Sequence, residues 1–230
     1  MLFHRSIPAR AAAVALIAGG GLAAPTFFAS AASAADAPCT ATAAGGTATT
    51  ASSCDTTGTL TLQGGALSGT FPAALAWTGS ITGTDQQIVD ATDTTIGVDD
   101  LTGSGAGWHL TAYASTFTTG GTTVHKLADT GTLKVNGSLT NDQSTSGPGA
   151  ACAGSDACTV PTPNLSSYPV KITTAASPTA ENAVSIYSAK NDTGIGKTKI
   201  TNLGWWIHVP ANAYAGTYTS TITVAVVSAP

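Results

Sequence analysis

Tyr218-Thr219-Ser220-Thr221-Ile222-Thr223-Val224-Ala225-Val226-Val227 is the stretch whose reading decides the fold. Successive side chains of an extended chain point to opposite faces. Tyr218, Ser220, Ile222, Val224 and Val226 therefore share one face, and Thr219, Thr221, Thr223 and Ala225 share the other. Its β-branched middle favours extension, so the segment is predicted to be a half-buried strand inside a sheet. Gly107 to Ser115 repeats the pattern. Trp108, Leu110, Ala112 and Ala114 fall on one face, and His109, Thr111, Tyr113 and Ser115 on the other. Ahead of them, Gly103-Ser104-Gly105-Ala106-Gly107 is a turn able to adopt positive φ.

Working outward, the chain from Thr59 onward consists of short strand-like runs with turn residues between them. Thr59-Leu60-Thr61-Leu62, Ala74-Leu75-Ala76-Trp77 and Lys134-Val135-Asn136-Gly137-Ser138-Leu139 are examples, and Asn136-Gly137 reads as a two-residue hairpin turn. No amphipathic helix is evident past the first residues. Many short strands with Gly-rich turns predict an all-β, antiparallel β-sandwich, Ig-like or barrel-like, with the C-terminal strand integral to the sheet. Asn141 to Pro163 is polar, holds Pro148, Pro161 and Pro163, and reads as a surface insertion.

The first residues read as a secretory signal peptide over 1–34. Arg5 and Arg10 form the positive region, Ala11 to Ala24 the apolar stretch, and Ala32-Ser33-Ala34 a small-x-small cleavage site. The apolar stretch is interrupted by three glycines and stopped by Pro25, too short for a bilayer that needs about 20 residues. An exported chain with no membrane insertion after cleavage is expected. Residues 35–57 are Ala, Thr, Gly and Ser with almost no large apolar side chain, too little to bury a core alone. Residues 58–230 then form the β domain.

Beyond the signal the chain contains no Arg. Its cations are Lys126, Lys134, Lys171, Lys190, Lys197 and Lys199 against twelve Asp and Glu, giving 6 − 12 = −6. This excludes the basic footprint of a nucleic-acid binder, and attraction to anionic polymers as well. Any ligand must then be held by stacking and hydrogen bonds to neutral sugar or peptide.

Cys39 with Cys54, and Cys152 with Cys158, form two local pairs. An even count in an exported chain reads as disulfides. Three connectivities are open, and the two local pairings are favoured. Zinc competes, but neither pair has Cys-x-x-Cys spacing and no His lies near either in sequence. Asp85, Asp90, Asp93, Asp99 and Asp100 could in principle offer oxygens to calcium, but their spacing is not that of an EF-hand and a solvated loop is the better reading. No metal and no cofactor are expected. The histidines past the signal are His109, His125 and His208, the one Glu is Glu181, and no nucleophile elbow is present, so no enzyme is expected.

In Trp205-Trp206-Ile207-His208-Val209-Pro210, alternation puts Trp205, Ile207 and Val209 on one face and Trp206 and His208 on the other. Trp206 with His208 is then a candidate sugar platform, and Trp206 as an edge cover of the core is the competing reading. Trp108 and Leu110 are expected in the core, with an exposed anchor as the alternative.

Two segments together resemble the WxL domain, a surface module of Gram-positive bacteria. The first is Thr94-Thr95-Ile96-Gly97-Val98-Asp99-Asp100-Leu101-Thr102-Gly103-Ser104-Gly105-Ala106-Gly107-Trp108-His109-Leu110; the second is Tyr218 to Pro230. Against the family's Tyr-x-x-x-Leu-Thr-Trp-x-Leu-x-x-x-Pro, Tyr218, Thr223 and Pro230 match. Ile222 and Val226 stand for Leu, and Val224 stands where the family has Trp. The resemblance covers about residues 58 to 230. It implies a secreted cell-surface protein that binds the cell wall, peptidoglycan or another wall glycan, non-covalently, often beside a membrane-anchored surface protein. Trp108, Leu110, Trp206, His208 and Tyr218 are its candidate binding residues. The alternative is a structural or adhesive component whose ligand is another surface protein.

Overall fold

The computed structural model describes residues 59–155, 157–163, 165 and 167–229. The signal peptide, the 35–57 segment and the Cys39–Cys54 pairing lie outside them. In chain order the strands are β1 (Leu67–Thr70), β2 (Gln86–Asp90), β3 (Ile96–Asp100), β4 (Trp108–Ser115), β5 (Thr118–Thr119), β6 (Leu133–Asn136) and β7 (Gly149–Cys152). They continue with β8 (Val170–Ile172), β9 (Thr174–Ala175), β10 (Val184–Ala189), β11 (Gly196–Thr201), β12 (Gly204–Val209), β13 (Tyr218–Thr219) and β14 (Ile222–Ser228). Among the described residues the only helical turn is a short 3₁₀ turn at Ala180–Asn182. The protein is all-β.

Three sheets share one core. One has the order β1-β3-β11-β7, the second β10-β4-β14 with β9 beside the end of β4, and the third β2-β12-β6-β8; β13 and β5 form a small ribbon. All pairings are antiparallel except β4 with β9. The sheets pack on one another without closing into a barrel, in the manner of a β-sandwich.

The central strand is β4, and its burial follows the alternation of its sequence. Trp108, Leu110, Ala112 and Ala114 are fully buried, while the residues between them are half-buried. The Trp108 ring stacks on Tyr187 with centroids 5.8 Å apart, and its Nε1 donates to the Gly194 carbonyl at 3.1 Å. Gly194 has φ +74, and a Cβ there would lie 2.5 Å from that same Nε1, so only glycine fits. Strand β14 pairs with β4 along its whole length, from Ile222 opposite Ala114 to Ser228 opposite Trp108. Ile222, Val224 and Val226 pack against the core. The C-terminal strand thus belongs to the sheet, at its edge.

Several local readings are corrected. Asn136-Gly137 does not turn a hairpin. Asn136 ends β6, whose neighbours are β12 and β8, and its side chain is fully buried. Its Oδ1 accepts the Ser138 amide at 2.9 Å and its Nδ2 donates to the Asn141 carbonyl at 2.9 Å, and these bonds turn the chain into an open loop. Thr59 to Leu62 and Ala74 to Trp77 are not strands. The supposed surface insertion contributes β7, which pairs with β11. Its cysteines form the Cys152–Cys158 disulfide, with Cα atoms 5.6 Å apart.

Candidate functional site

Between β1 and β2 the chain crosses fifteen residues, 71–85, without regular structure. Buried side chains hold this loop by its backbone. Asp90 Oδ2 accepts the Ala76 amide at 2.7 Å, while Asp90 Oδ1 accepts the Thr92 amide and hydroxyl and the Asp93 amide. Burial alone would raise the Asp90 carboxyl. The hydrogen bonds from Thr92, Ala76 and Asp93 outweigh it and hold the group below its ordinary range. Trp77 Nε1 donates to the Trp205 carbonyl at 2.9 Å, and the Trp77 ring meets Phe117 edge-on. A second loop, 210–217, joins β12 to β13 and faces the first. Asp85 ties the two, accepting the Ala211 amide at 2.8 Å on Oδ1 and lying 3.7 Å from His208 Nε2 through Oδ2.

These loops border an open groove of about 930 Å³. Its floor comes from Trp205, Ile207 and Val209 of β12, Ile222 and Val224 of β14, Phe117 and Leu127; Trp77, Tyr214 and Tyr218 rise around it. Thr78, Ser80, Gln86, Thr217, Thr219, Ser220 and Thr221 are its polar residues, and no lining side chain is an acid, a lysine or a histidine. Tyr214 is the exposed aromatic, 62 % accessible. His125 stacks on it at 3.8 Å with ring planes 14° apart, and Tyr218 Oη donates to its carbonyl at 3.1 Å. His125 thus covers one face of the ring, and Tyr218 holds the Tyr214 backbone. Trp205 is fully buried at the floor, and among the described residues its indole N–H is the one buried side-chain polar atom without a protein partner.

Of the five candidate binding residues named from sequence, only Tyr218 lines this groove. Trp108 and Leu110 are fully buried, so they are core and not an exposed anchor. Trp206 is corrected too. It is 5 % exposed, and its Nε1 donates to Asn136 Oδ1 at 3.1 Å and to the Ser138 carbonyl at 3.0 Å. The loop after β6 covers that face of β12, fastened by Lys134 Nζ on Asp142 at 2.6 Å, and no sugar can lie on the ring. His208 is half-buried beside Asp85, outside the groove lining. Sequence reasoning missed Trp77 and Tyr214. Tyr214 had one usable signal: a lone large side chain in Pro210-Ala211-Asn212-Ala213-Tyr214-Ala215-Gly216, a loop otherwise of small residues.

Elsewhere, Ser188 Oγ and His109 Nδ1 lie 2.7 Å apart. Ser188 is 2 % exposed and sits opposite His109 in the β10–β4 pairing, so the two form a cross-strand hydrogen bond rather than a nucleophile with its base. The acidic run is likewise used locally: Asp100, also buried, accepts the Thr102 amide and hydroxyl. Among the described residues no group of three or more His, Cys, Asp or Glu is placed to hold a metal ion, and no helix is long and apolar enough to cross a membrane. No protein-family model, curated protein or solved structure matches the chain.

Proposed function

We propose that this is an exported cell-surface protein whose β domain binds neutral wall glycan, peptidoglycan first, through the groove between loops 71–85 and 210–217. The observation that carries the reading is the groove's chemistry. Aromatic rings stand among hydroxyls and an amide, with no charged side chain in the lining. A sugar ring offers an apolar C–H face to an aromatic plane and hydroxyls to the rim. Carboxylate or imidazole acid–base chemistry would need an acid or a histidine, and phosphate recognition a cation, and this lining holds none of these. The net charge of −6 past the signal supports the same choice, because it opposes attraction to anionic polymers. The signal-like N-terminus and the WxL-like segments support a surface location.

Purified protein should sediment with isolated Gram-positive wall and should still do so at about 1 M salt, where screening acts within about 3 Å. Tyr214→Ala should fold normally, since exposed substitutions usually shift stability by no more than about 0.5 kcal/mol. It should weaken binding about tenfold or more, which is about 1.4 kcal/mol. Wild-type protein left in the supernatant at both low and high salt would sink the wall reading and favour an adhesive component with a protein ligand.

A further inference from the structure

Sheet edges present unpaired amides, and proteins ordinarily protect them. Most edges here carry such a device. Strand β10 is bulged between Ser185 and Tyr187. Strand β8 is three residues long and contains Lys171, β7 is four residues long and ends at a disulfide, and β1 is four residues long with Gly69. Strand β14 has none of these. It spans seven residues, Ile-Thr-Val-Ala-Val-Val-Ser, with no charge, no Pro and an unbroken register to β4.

The register also fixes which groups face outward. The Ser115 amide donates to the Thr221 carbonyl, and the Ala229 amide to the Gly107 carbonyl. Antiparallel pairs alternate between hydrogen-bonded and non-hydrogen-bonded. The odd-numbered residues Thr223, Ala225 and Val227 therefore bond to β4, while the N–H and C=O of Ile222, Val224, Val226 and Ser228 point away from it. Strand β1 runs near β14, yet among the described residues no hydrogen bond reaches these outward groups. A second, independent observation supplies a match. Leu60 and Leu62, at period-two spacing in an uncharged stretch outside any strand, are 80 % and 82 % exposed. An extended backbone would place these two exposed apolar side chains on one face.

We propose that Leu60-Thr61-Leu62 of one molecule adds as a strand to the outward edge of β14 in a second copy of this chain. Both elements are uncharged, so no like-charge repulsion opposes the pairing, and main-chain hydrogen bonds supply the contact. Donor and acceptor are different surfaces, so the contact is head-to-tail and extends into open chains or rings rather than closing as a two-fold dimer. This inference does not rest on glycan binding.

The test is sedimentation velocity of the purified full chain over a range of concentrations. Wild-type protein should gain mass with concentration beyond the 22.5 kDa of one chain. A double variant, Leu60→Asp with Leu62→Asp, changes only exposed side chains and should be monomeric. Val226→Pro removes an outward N–H and spares the β4 ladder, and it should be monomeric as well. Should it fail to fold, Val227→Lys replaces it, because Val227 is 42 % exposed and a charge there protects the edge. Mixing the donor variant with the edge variant should restore one contact and stop at a one-to-one dimer. A wild-type protein monomeric at every concentration overturns the proposal. So does a donor variant that still associates, which would mean that β14 pairs with itself or with β1.

Discussion

Trp108→Ala separates a core tryptophan from an exposed wall anchor. The wild-type ring is fully buried, stacked on Tyr187 at 5.8 Å, with its N–H on the Gly194 carbonyl. Truncation opens a cavity in a face that also holds Leu110, Ala112 and Ala114, all fully buried on a strand paired on both sides, so little collapse is available. Trp→Ala in such a site costs about 3–5 kcal/mol, and the orphaned Gly194 carbonyl adds about 1 kcal/mol at the lower end of the penalty for an unmet buried group. The sum, about 4–6 kcal/mol, approaches the whole stability of a modest domain, about 5–15 kcal/mol. Urea unfolding followed by circular dichroism is the assay, with Trp108→Phe beside it. Phe keeps part of the stacking on Tyr187 and loses the hydrogen bond, so its loss should be clearly smaller than that of Ala. A Trp108→Ala protein that unfolds within about 1 kcal/mol of wild type would refute the reasoning, since only an exposed side chain is that dispensable.

Val224 lines the groove floor at the position where the WxL pattern has Trp; Val224→Trp should obstruct part of that floor and weaken wall sedimentation while the circular dichroism spectrum is retained. The Cys152–Cys158 bridge closes a loop worth about 2 kcal/mol of unfolded-state restriction, so Cys152→Ser with Cys158→Ser should lower the urea midpoint by a corresponding amount. Asp90 has a folded-state pKa below its unfolded value near 3.8, so the native state binds fewer protons. Its stabilisation is complete above that value and is lost as pH falls through the folded value. Asp90→Asn, which cannot accept the Ala76 amide and both Thr92 donors alike, should flatten the acid limb of a stability-against-pH curve and expose loop 71–85 to proteolysis.

How much of this was legible in the sequence depended on whether one face of a strand, or both, is covered. In β4 one face is buried and alternation alone assigns the side chains, so Trp108 and Leu110 fall where period two puts them; in β14 alternation picks out Ile222, Val224 and Val226, the residues that pack on the core, although the whole run from Ile222 to Val226 is half-buried. Strand β12 lies between β2 and β6 with the loop after β6 over its other face, and Trp205, Trp206 and Ile207 are all buried. A strand covered on both faces reads as a continuous apolar run, which Gly204-Trp205-Trp206-Ile207 is, so a rule of one in and one out had to misplace Trp206. Asn136-Gly137 failed for a related reason: a strong local turn signal gave way once Asn136 became the buried acceptor for Trp206 Nε1. The groove had no periodic signature, because residues 72–81 and 213–222, distant in sequence, meet there without regular structure over most of their length. The two WxL-like segments, by contrast, are partners in the fold, with Leu110 opposite Val226 and Ala112 opposite Val224. Their shared pattern is therefore first a packing pattern. Val224 packs on the core and also lines the groove. The one large departure from the pattern thus falls where a smaller side chain leaves the groove floor open. Val224→Trp would therefore change the groove floor while the Trp108–Leu110 packing stays unchanged.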